Sequence, residues 1–331
     1  MRILNRPTRQ SLQSQLAGLL RLTRPENSNP NINDLWRLTK DLEATKLTVK
    51  FFGYELAKAL LASLPPLPPG GPFQTSLTSR PANQADLEAD WTRYWSGQIK
   101  ERHAIHRRVW EYAYVLQTLA QFGKLRPGMK GVGIGCTDPV ASYLASKGCE
   151  LVAIDAKETP ADRVFRSELL DRGTFDNKVR IRTVDLGALP ADLQGFDFCW
   201  SLGRLQHMGS LARGIMLVEN MADMLRPGGV AVHTTEFSFA IDDQTIDNWP
   251  TVLFQRRHFE EMAQRLERKG CRVLPLDFNV GSRPLDRFID VPPFDMPTDN
   301  LKNWSQDTMH VKVSIDGFPC TSFGLALVKN G

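Results

Sequence analysis

The sequence has few cysteines, and no two of them are close enough in the chain to form a Cys-x-x-Cys motif. Only five occur in 331 residues, so a disulfide framework of a small secreted fold and a zinc site of Cys-x-x-Cys type are both excluded. Three of the five lie in or beside apolar, strand-like runs. We therefore expect reduced, buried thiols, as in a protein of a reducing compartment. The five are Cys136, Cys149, Cys199, Cys271 and Cys320.

Long apolar runs are also absent. No stretch approaches the roughly 20 apolar residues of a membrane-spanning helix. The first 20 residues contain early arginines but neither a continuous apolar region nor a small-residue cleavage site, so a secretory leader is not expected. Together with the thiols, this predicts a cytoplasmic enzyme without a membrane span.

A concentrated positive charge is missing as well. The net charge is only +4, and the densest basic stretch, ERHAIHRR at 101–108, alternates with apolar residues and an acid. Such a pattern is typical of a solvated helix face, so nucleic acid is not expected as a partner.

Four regions can be distinguished along the chain. Residues 1–63 show helical periodicity, and residues 64–84 form a Pro/Gly-rich segment, either a linker or a stretch that wraps around a domain. Residues 85–124 are again helical, and we predict that they form a cap leading into the core. From residue 125 to 331, strand and helix signals alternate, which predicts helices on both faces of a largely parallel sheet.

The most informative stretch is KGVGIGCTDPVASYLASKGCELVAID, residues 130–155. A glycine-rich strand leads into a tight turn and a helix, and a second strand ends on Asp155. Backbone N–H groups at the helix start and a carboxylate about 20 residues after the turn are the parts of a nucleotide site, in which the acid accepts hydrogen bonds from ribose hydroxyls. An adenosine-type ligand is therefore predicted. The alternative is that the glycines only tighten the turn and Asp155 is a solvated strand end.

The last segments depart from the alternation. HVKVSID and TSFGLALVKN are separated only by a GFPC turn, so these two strands must be antiparallel. The predicted fold is α/β, a Rossmann-like, mostly parallel seven-stranded sheet with a terminal antiparallel hairpin and an N-terminal helical region.

Residues from about 125 to 329 resemble the class I S-adenosylmethionine-dependent methyltransferase superfamily. LRPGMKGVGIGC is similar to its first motif, ELVAID to its second strand with the ribose acid, VRIRTVDLGALP to its adenine-side loop, and MLRPGGVAVHTTE to the strand after the RPGG turn. HRRVWEYAYVLQTLAQFG and GFDFCWS more narrowly resemble a bacterial subgroup associated with glycan and specialised-metabolite pathways. The first motif is degenerate, because superposition puts Thr137 and Pro139 where the superfamily has its second and third glycines.

The resemblance implies S-adenosylmethionine as cofactor. Asp155 would bind the ribose, Asp185 would accept from the adenine amino group with Leu186 on the ring, and the loop would hold the methionine part. Alternatives stay open for three residues: Asp138 as an N-cap, Asp185 as a solvated strand end and Trp200 as a core residue. The cofactor set comprises Gly133, Gly135, Thr137, Asp138, Asp155, Ala156, Asp185, Leu186, Trp200 and Ser201.

Two residues are candidates for catalysis. His207 follows the fourth strand, where parallel sheets bind ligands, and imidazole titrates near neutral pH, so it is the first candidate for a general base. Glu236 at the end of the fifth strand is the second, as a base or as an acceptor for a substrate hydroxyl. His233, on the opposite face of that strand from Glu236, is expected in the core. A metal held by His207, Glu236 and Asp242 has no diagnostic spacing, so no metal site is predicted.

The expected function is O-methylation of a small polar or glycosylated acceptor, and a homo-oligomer is compatible with the sequence. A nicotinamide oxidoreductase would use the same first half of the fold, and Tyr143 and Lys147 even spell Y-x-x-x-K. That pair follows the glycine turn directly, far from its place in short-chain dehydrogenases. The second alternative is a catalytically silent binding protein, because Thr137 and Pro139 replace loop glycines.

Overall fold

The computed structural model describes residues 32–136, 139–240, 244–292, 294 and 309–331. Two compact units are distinguished, with the boundary between Glu55 and Leu56. Thr137, Asp138 and Asp242, all considered from the sequence, lie outside the described residues. Within these ranges, no helix has the length and apolarity that crossing a membrane requires.

The helix predicted before the Pro/Gly-rich segment runs as one element, α1, from Ile32 to Ser63. The remaining helices belong to the second unit: α2 Gln84–Glu88, α3 Asp90–Gln98, α4 Arg107–Gln121, α5 Pro139–Ser146, α6 Ala161–Val164, α7 Arg172–Lys178, α8 Leu211–Asp223 and α9 Arg256–Arg268. The strands are β1 Arg80–Pro81, β2 Lys130–Ile134, β3 Glu150–Asp155, β4 Val179–Thr183, β5 Phe196–Leu202, β6 Leu225–Ser238, β7 Cys271–Val273, β8 Ile289–Asp290, β9 Lys312–Ile315 and β10 Phe318–Lys329.

The strands form a single mixed sheet in the order β4-β3-β2-β5-β6-β10-β9-β8, with β1 and β7 paired to β10. Strands β2 to β6 are mutually parallel, and β10 runs antiparallel to β6 and β9. The mostly parallel sheet and the terminal hairpin are thus confirmed. The expected strand number is wrong, because the described residues form ten strands and not seven. Strands β1, β7 and β8 span only two or three residues, too few for any alternation of polarity to show.

The Pro/Gly-rich segment wraps around the second unit. Its last residues form β1, in which Arg80 pairs with Gly324 and Pro81 with Phe323. The backbone N–H of Ser79 donates to the carbonyl of Pro275 at 2.9 Å. The end of this segment therefore pairs with the sheet of the second unit.

A buried lysine joins the end of this segment to the sheet. Lys312 of β9 is fully buried, and its Nζ donates to the carbonyl of Ala82 at 2.5 Å and lies 3.9 Å from Asp286 Oδ1. Burial lowers the pKa of Lys312 to about 8, while Asp286 and Asp86 partly oppose that shift. The burial of Lys312 could not be predicted from the sequence, because it depends on Ala82 and Asp286, which are distant in the chain.

The five cysteine side chains are buried, as predicted. Burial is the largest cause of the shift at Cys149, whose pKa rises to about 11. Protonated, inaccessible thiols are poor nucleophiles, so these side chains serve packing.

The glycines of β2 leave room for aromatic side chains of its neighbour β5. A Cβ on Gly131 would lie 2.3 Å from the Phe198 ring, and one on Gly133 would lie 2.3 Å from Cζ2 of Trp200. Both aromatic side chains are fully buried. The rings of β5 therefore fill the space that the glycines of β2 leave, and the missing side chains are a packing requirement at the centre of the sheet.

We expect Gly133→Ala to lower the free energy of unfolding by about 1–3 kcal/mol, the usual range for overpacking a core. Urea unfolding measures it. Trp200→Phe removes the ring atoms that the new methyl group meets, so the double variant should lose less than the two single losses combined. Gly97→Ala is the control, since nothing lies within 4 Å of a Cβ there. Equal stability of Gly133→Ala and wild type would contradict this packing.

Lys312 predicts an unusual pH dependence of stability. Between pH 8 and 10.5 the unfolded chain holds a proton that the folded chain has released, so stability rises with pH across that window. We expect wild type to gain on the order of 2–3 kcal/mol relative to Lys312→Met between pH 7 and pH 10, at 1.36 kcal/mol per pKa unit. Denaturant unfolding at both pH values measures the difference. A constant difference would show that Lys312 keeps an ordinary pKa.

Candidate functional site

The carboxyl ends of five parallel strands, β2 to β6, lie at one edge of the sheet. After β2 the backbone turns at Gly135, which has φ +66° and donates its N–H to the carbonyl of Ile154 at 2.9 Å. A left-handed residue favours glycine. The turn is therefore joined to the end of β3, and this places Gly135 beside Asp155.

Asp155 is not a solvated strand end. Its side chain is 19% exposed, Oδ1 accepts from the backbone N–H of Ala156 at 2.8 Å, and Oδ2 lies 3.4 Å from Nη2 of Arg204. Thr159 contributes a long contact from Oγ1 to Oδ2, at 3.5 Å. The carboxylate is thus held at the strand tip and retains lone pairs for a further donor.

Arg204 is the residue at this edge that the sequence analysis missed. Its guanidinium lies across the turn, so a Cβ on Gly135 would meet Nε at 1.8 Å. Nη2 also lies 3.4 Å from the carbonyl oxygen of Gly135. The only signal in the sequence was a cation two residues after the buried strand FDFCWSL, at the position where loops of parallel sheets contact ligands.

The other predicted cofactor residues fall into two groups. Ala156 and Asp185 are exposed beyond β3 and β4, and Asp185 Oδ1 accepts from the N–H of Gly187 at 2.8 Å. Trp200 and Ser201 are fully buried, and Leu186 is 9% exposed within the apolar core. Trp200 thus packs against β2 in the core. This is the alternative given above for Trp200, and not the predicted contact with the cofactor.

Ser201 binds a histidine of the next strand. Its Oγ lies 2.8 Å from Nδ1 of His233, which is fully buried. Burial lowers the pKa of His233 to about 3, so the imidazole is neutral at every physiological pH. His233 is the core residue that its place on β6 predicted, although its Nε2 has no hydrogen-bond partner among the described residues.

Glu236 forms an ion pair with the first residue of α4. Arg107 Nη1 lies 2.5 Å from Glu236 Oε1 and 3.3 Å from Ser322 Oγ. The glutamate is 5% exposed, and its Oε2 has no hydrogen-bond partner within the described ranges. One carboxylate oxygen is therefore neutralised, and the other keeps its acceptor capacity.

A second buried acid, Glu111 of α4, lies at the same edge. Glu111 is 3% exposed and accepts from Thr234 Oγ1 at 2.9 Å, from Arg108 Nη1 at 3.2 Å and from Ser322 Oγ. Thr234 Oγ1 in turn accepts from the N–H of Gly203 at 3.1 Å. Glu111 is therefore part of a buried polar network that ties α4 to the ends of β5 and β6.

His207 ends a short 3-10 helix, Leu205–His207, and its side chain is exposed. Nδ1 lies 3.1 Å from the carbonyl oxygen of Pro250. A carbonyl can only accept, so Nδ1 carries the proton in the neutral ring, and Nε2 keeps its lone pair.

The Y-x-x-x-K pair has a packing role. Tyr143 is 4% exposed, its ring lies 6.0 Å from that of Trp95, and Lys147 Nζ is 4.9 Å from the tyrosine ring centroid. Burial raises the pKa of Tyr143 above its usual range, which is opposite to what an acid–base tyrosine requires. Among the described residues, no group of three His, Cys, Asp or Glu side chains is arranged to hold a metal.

Solved structures with a similar fold are distant. Magnesium protoporphyrin IX methyltransferase from Synechocystis is 12% identical, with 86% of this chain and 100% of that chain covered and a TM-score of 0.41. The CcbJ methyltransferase from Streptomyces caelestis is 13% identical, with 64% and 93% covered and a TM-score of 0.37. The cyclase SpnF is 18% identical, with 84% and 94% covered and a TM-score of 0.45. At this distance the likeness concerns the fold alone.

A search of curated proteins found no matching sequence. The family comparison is specific: residues 131–233, from the glycine strand to the middle of β6, match the family model described as a methyltransferase domain. That segment contains the Gly135 turn, Asp155 and His207. Residues 131–233 thus correspond to a methyltransferase domain, which supports the resemblance to the class I S-adenosylmethionine-dependent methyltransferases and an enzymatic activity.

Proposed function

We propose that the enzyme transfers a methyl group to a hydroxyl oxygen of a small polar or glycosylated acceptor, at the edge where β2, β3, β5 and β6 end. The observation that carries this proposal is the side-by-side position of the Gly135 turn and the Asp155 carboxylate. S-adenosylmethionine, the cofactor of this superfamily, supplies an electrophilic methyl group. The protein has to bind the cofactor and the acceptor, align the acceptor oxygen with the methyl group, and remove the hydroxyl proton.

The residues at the turn suit such a cofactor. Asp155 is held rigidly by the N–H of Ala156 and has acceptor capacity for the ribose hydroxyls. Gly135 presents backbone without a side chain, which allows a ligand to approach closely. Asp185, exposed beyond β4, is proposed for the adenine amino group, with Leu186 beneath the ring.

His207 is proposed as the general base. Its ring orientation is set by the Pro250 carbonyl, and the unprotonated Nε2 can accept the hydroxyl proton of the acceptor as the new bond to oxygen forms. Glu236 is less suited to that step, because its Oε1 is already paired with Arg107. Its unpartnered Oε2 is proposed to accept a hydrogen bond from the acceptor and so to orient it.

Asp155→Ala should weaken binding of S-adenosylhomocysteine by about 1–3 kcal/mol, the cost of leaving buried polar partners unpaired. Calorimetric titration measures the affinity. Asp176→Ala, which removes a surface acid paired with Arg172 on α7, is the matched control and should bind as wild type does. Unchanged affinity of Asp155→Ala would remove this residue from the site, and binding of NAD alone by wild type would overturn the proposed function.

His207→Ala should lower kcat by on the order of 100-fold, the lower range for loss of a general base, with the Kd for S-adenosylhomocysteine unchanged. Glu236→Gln should mainly lower Tm, because Arg107 loses its charged partner in a buried pair. The readouts are single-turnover kinetics and thermal unfolding. If His207→Ala retained turnover while Glu236→Gln lost it at unchanged Tm, the base would be Glu236.

A further inference from the structure

The guanidinium of Arg204 covers the face of the turn that the proposed cofactor needs. It touches Gly135 through Nε and Nη2 and Asp155 through Nη2, and 31% of its side chain is exposed. Ribose hydroxyls that bind Oδ2 of Asp155 would compete with Arg204 for that oxygen. Any ligand that occupies this face of the turn therefore has to contact or displace Arg204.

The contact that Arg204 would give up is weak. Both of its polar contacts are 3.4 Å long, beyond the usual range for a hydrogen bond between charged groups. A partly exposed pair of this kind contributes little net stability. Replacing it by hydroxyl groups therefore costs little, provided that the guanidinium finds another anion.

The other arginines at this edge hold acids of the protein itself. Arg107 binds Glu236, and Arg108 binds Glu111, a buried residue. Arg204 differs from both, because its acid is the one assigned to the ligand. When the ribose occupies the Asp155 carboxylate, a negatively charged group of the ligand has to serve as the new partner of Arg204.

We propose that Arg204 exchanges Asp155 for the α-carboxylate of the cofactor's amino-acid part, an assignment that rests on the proposed function of this site. The α-carboxylate is the only anionic group of S-adenosylmethionine, and the planar guanidinium can bind both of its oxygens at once. The same arginine repels the sulfonium. Its preferred position is thus at the far end of the amino-acid chain, over the Gly135 turn, and not between ribose and acceptor.

The test compares two ligands that differ in this one group: S-adenosylhomocysteine and S-adenosyl-3-thiopropylamine, which keeps the amine and lacks the carboxylate. Calorimetry gives Kd values for wild type, Arg204→Met and Arg204→Lys. We expect wild type to bind the carboxylate-bearing ligand at least tenfold more tightly than the amine. Arg204→Met should lose that preference by weakening only S-adenosylhomocysteine, and Arg204→Lys should keep part of it. Arg213→Met, an exposed arginine on α8, is the control, and thermal unfolding checks that each variant is folded.

Three results would overturn the assignment, and they are distinguishable. Tighter binding of both ligands by Arg204→Met would show that Arg204 only blocks the site. Equal weakening of both ligands would show that it acts through Asp155 or the turn and not on the carboxylate. Failure of wild type to bind either ligand would overturn the proposed function itself.

Discussion

The contact between β2 and β5 is the constraint on which the rest of this structure depends. Two glycines of β2 leave space that Phe198 and Trp200 fill, so the two strands are locked in register at the centre of the sheet. That register fixes where each strand ends. The turn after β2 and the loop after β5 therefore meet at one edge, and Arg204 from the loop reaches across Gly135 from the turn. A site made from residues about 70 positions apart in sequence is a consequence of aromatic packing a few ångströms below it.

Local patterns predicted the parts of the fold that local forces decide. The sequence of strand, glycine turn, helix and strand that ends on Asp155 was predictable from 26 consecutive residues, and so was the antiparallel hairpin, because a four-residue connection permits no other pairing. Short strands such as β1 escaped, because their pairing depends on β10, more than 200 residues away. Trp200 illustrates a third case. Its position near a strand end was compatible with lining a ligand pocket or with packing in the core, and its contact with Gly133 on the neighbouring strand places it in the core.

The polar contacts of the site could not be predicted, for a related reason. Glu236 was expected to act as a base or to accept a hydrogen bond from a substrate hydroxyl. One of its oxygens is instead paired with Arg107, which lies 129 residues earlier in the chain. Glu111 accepts hydrogen bonds from Thr234 and Ser322, which lie 123 and 211 residues away along the chain. Each buried acid at this edge has an arginine within reach, as the cost of burying a charge demands. Sequence shows the charges, but which of them are neutralised depends on the tertiary fold.

The pairing of β10 bears on how the protein acquires its structure. This one strand joins β6, β9, β7 and β1, segments that lie between 3 and about 240 residues away along the chain. Contacts of such long sequence separation form slowly, because the closure of large loops has to precede any gain from pairing. During synthesis, the exposed edge of β6 must therefore wait for residues 318–329 to leave the ribosome. Until β10 pairs with it, this edge of β6 exposes unpaired backbone groups, with which strands of other chains can pair.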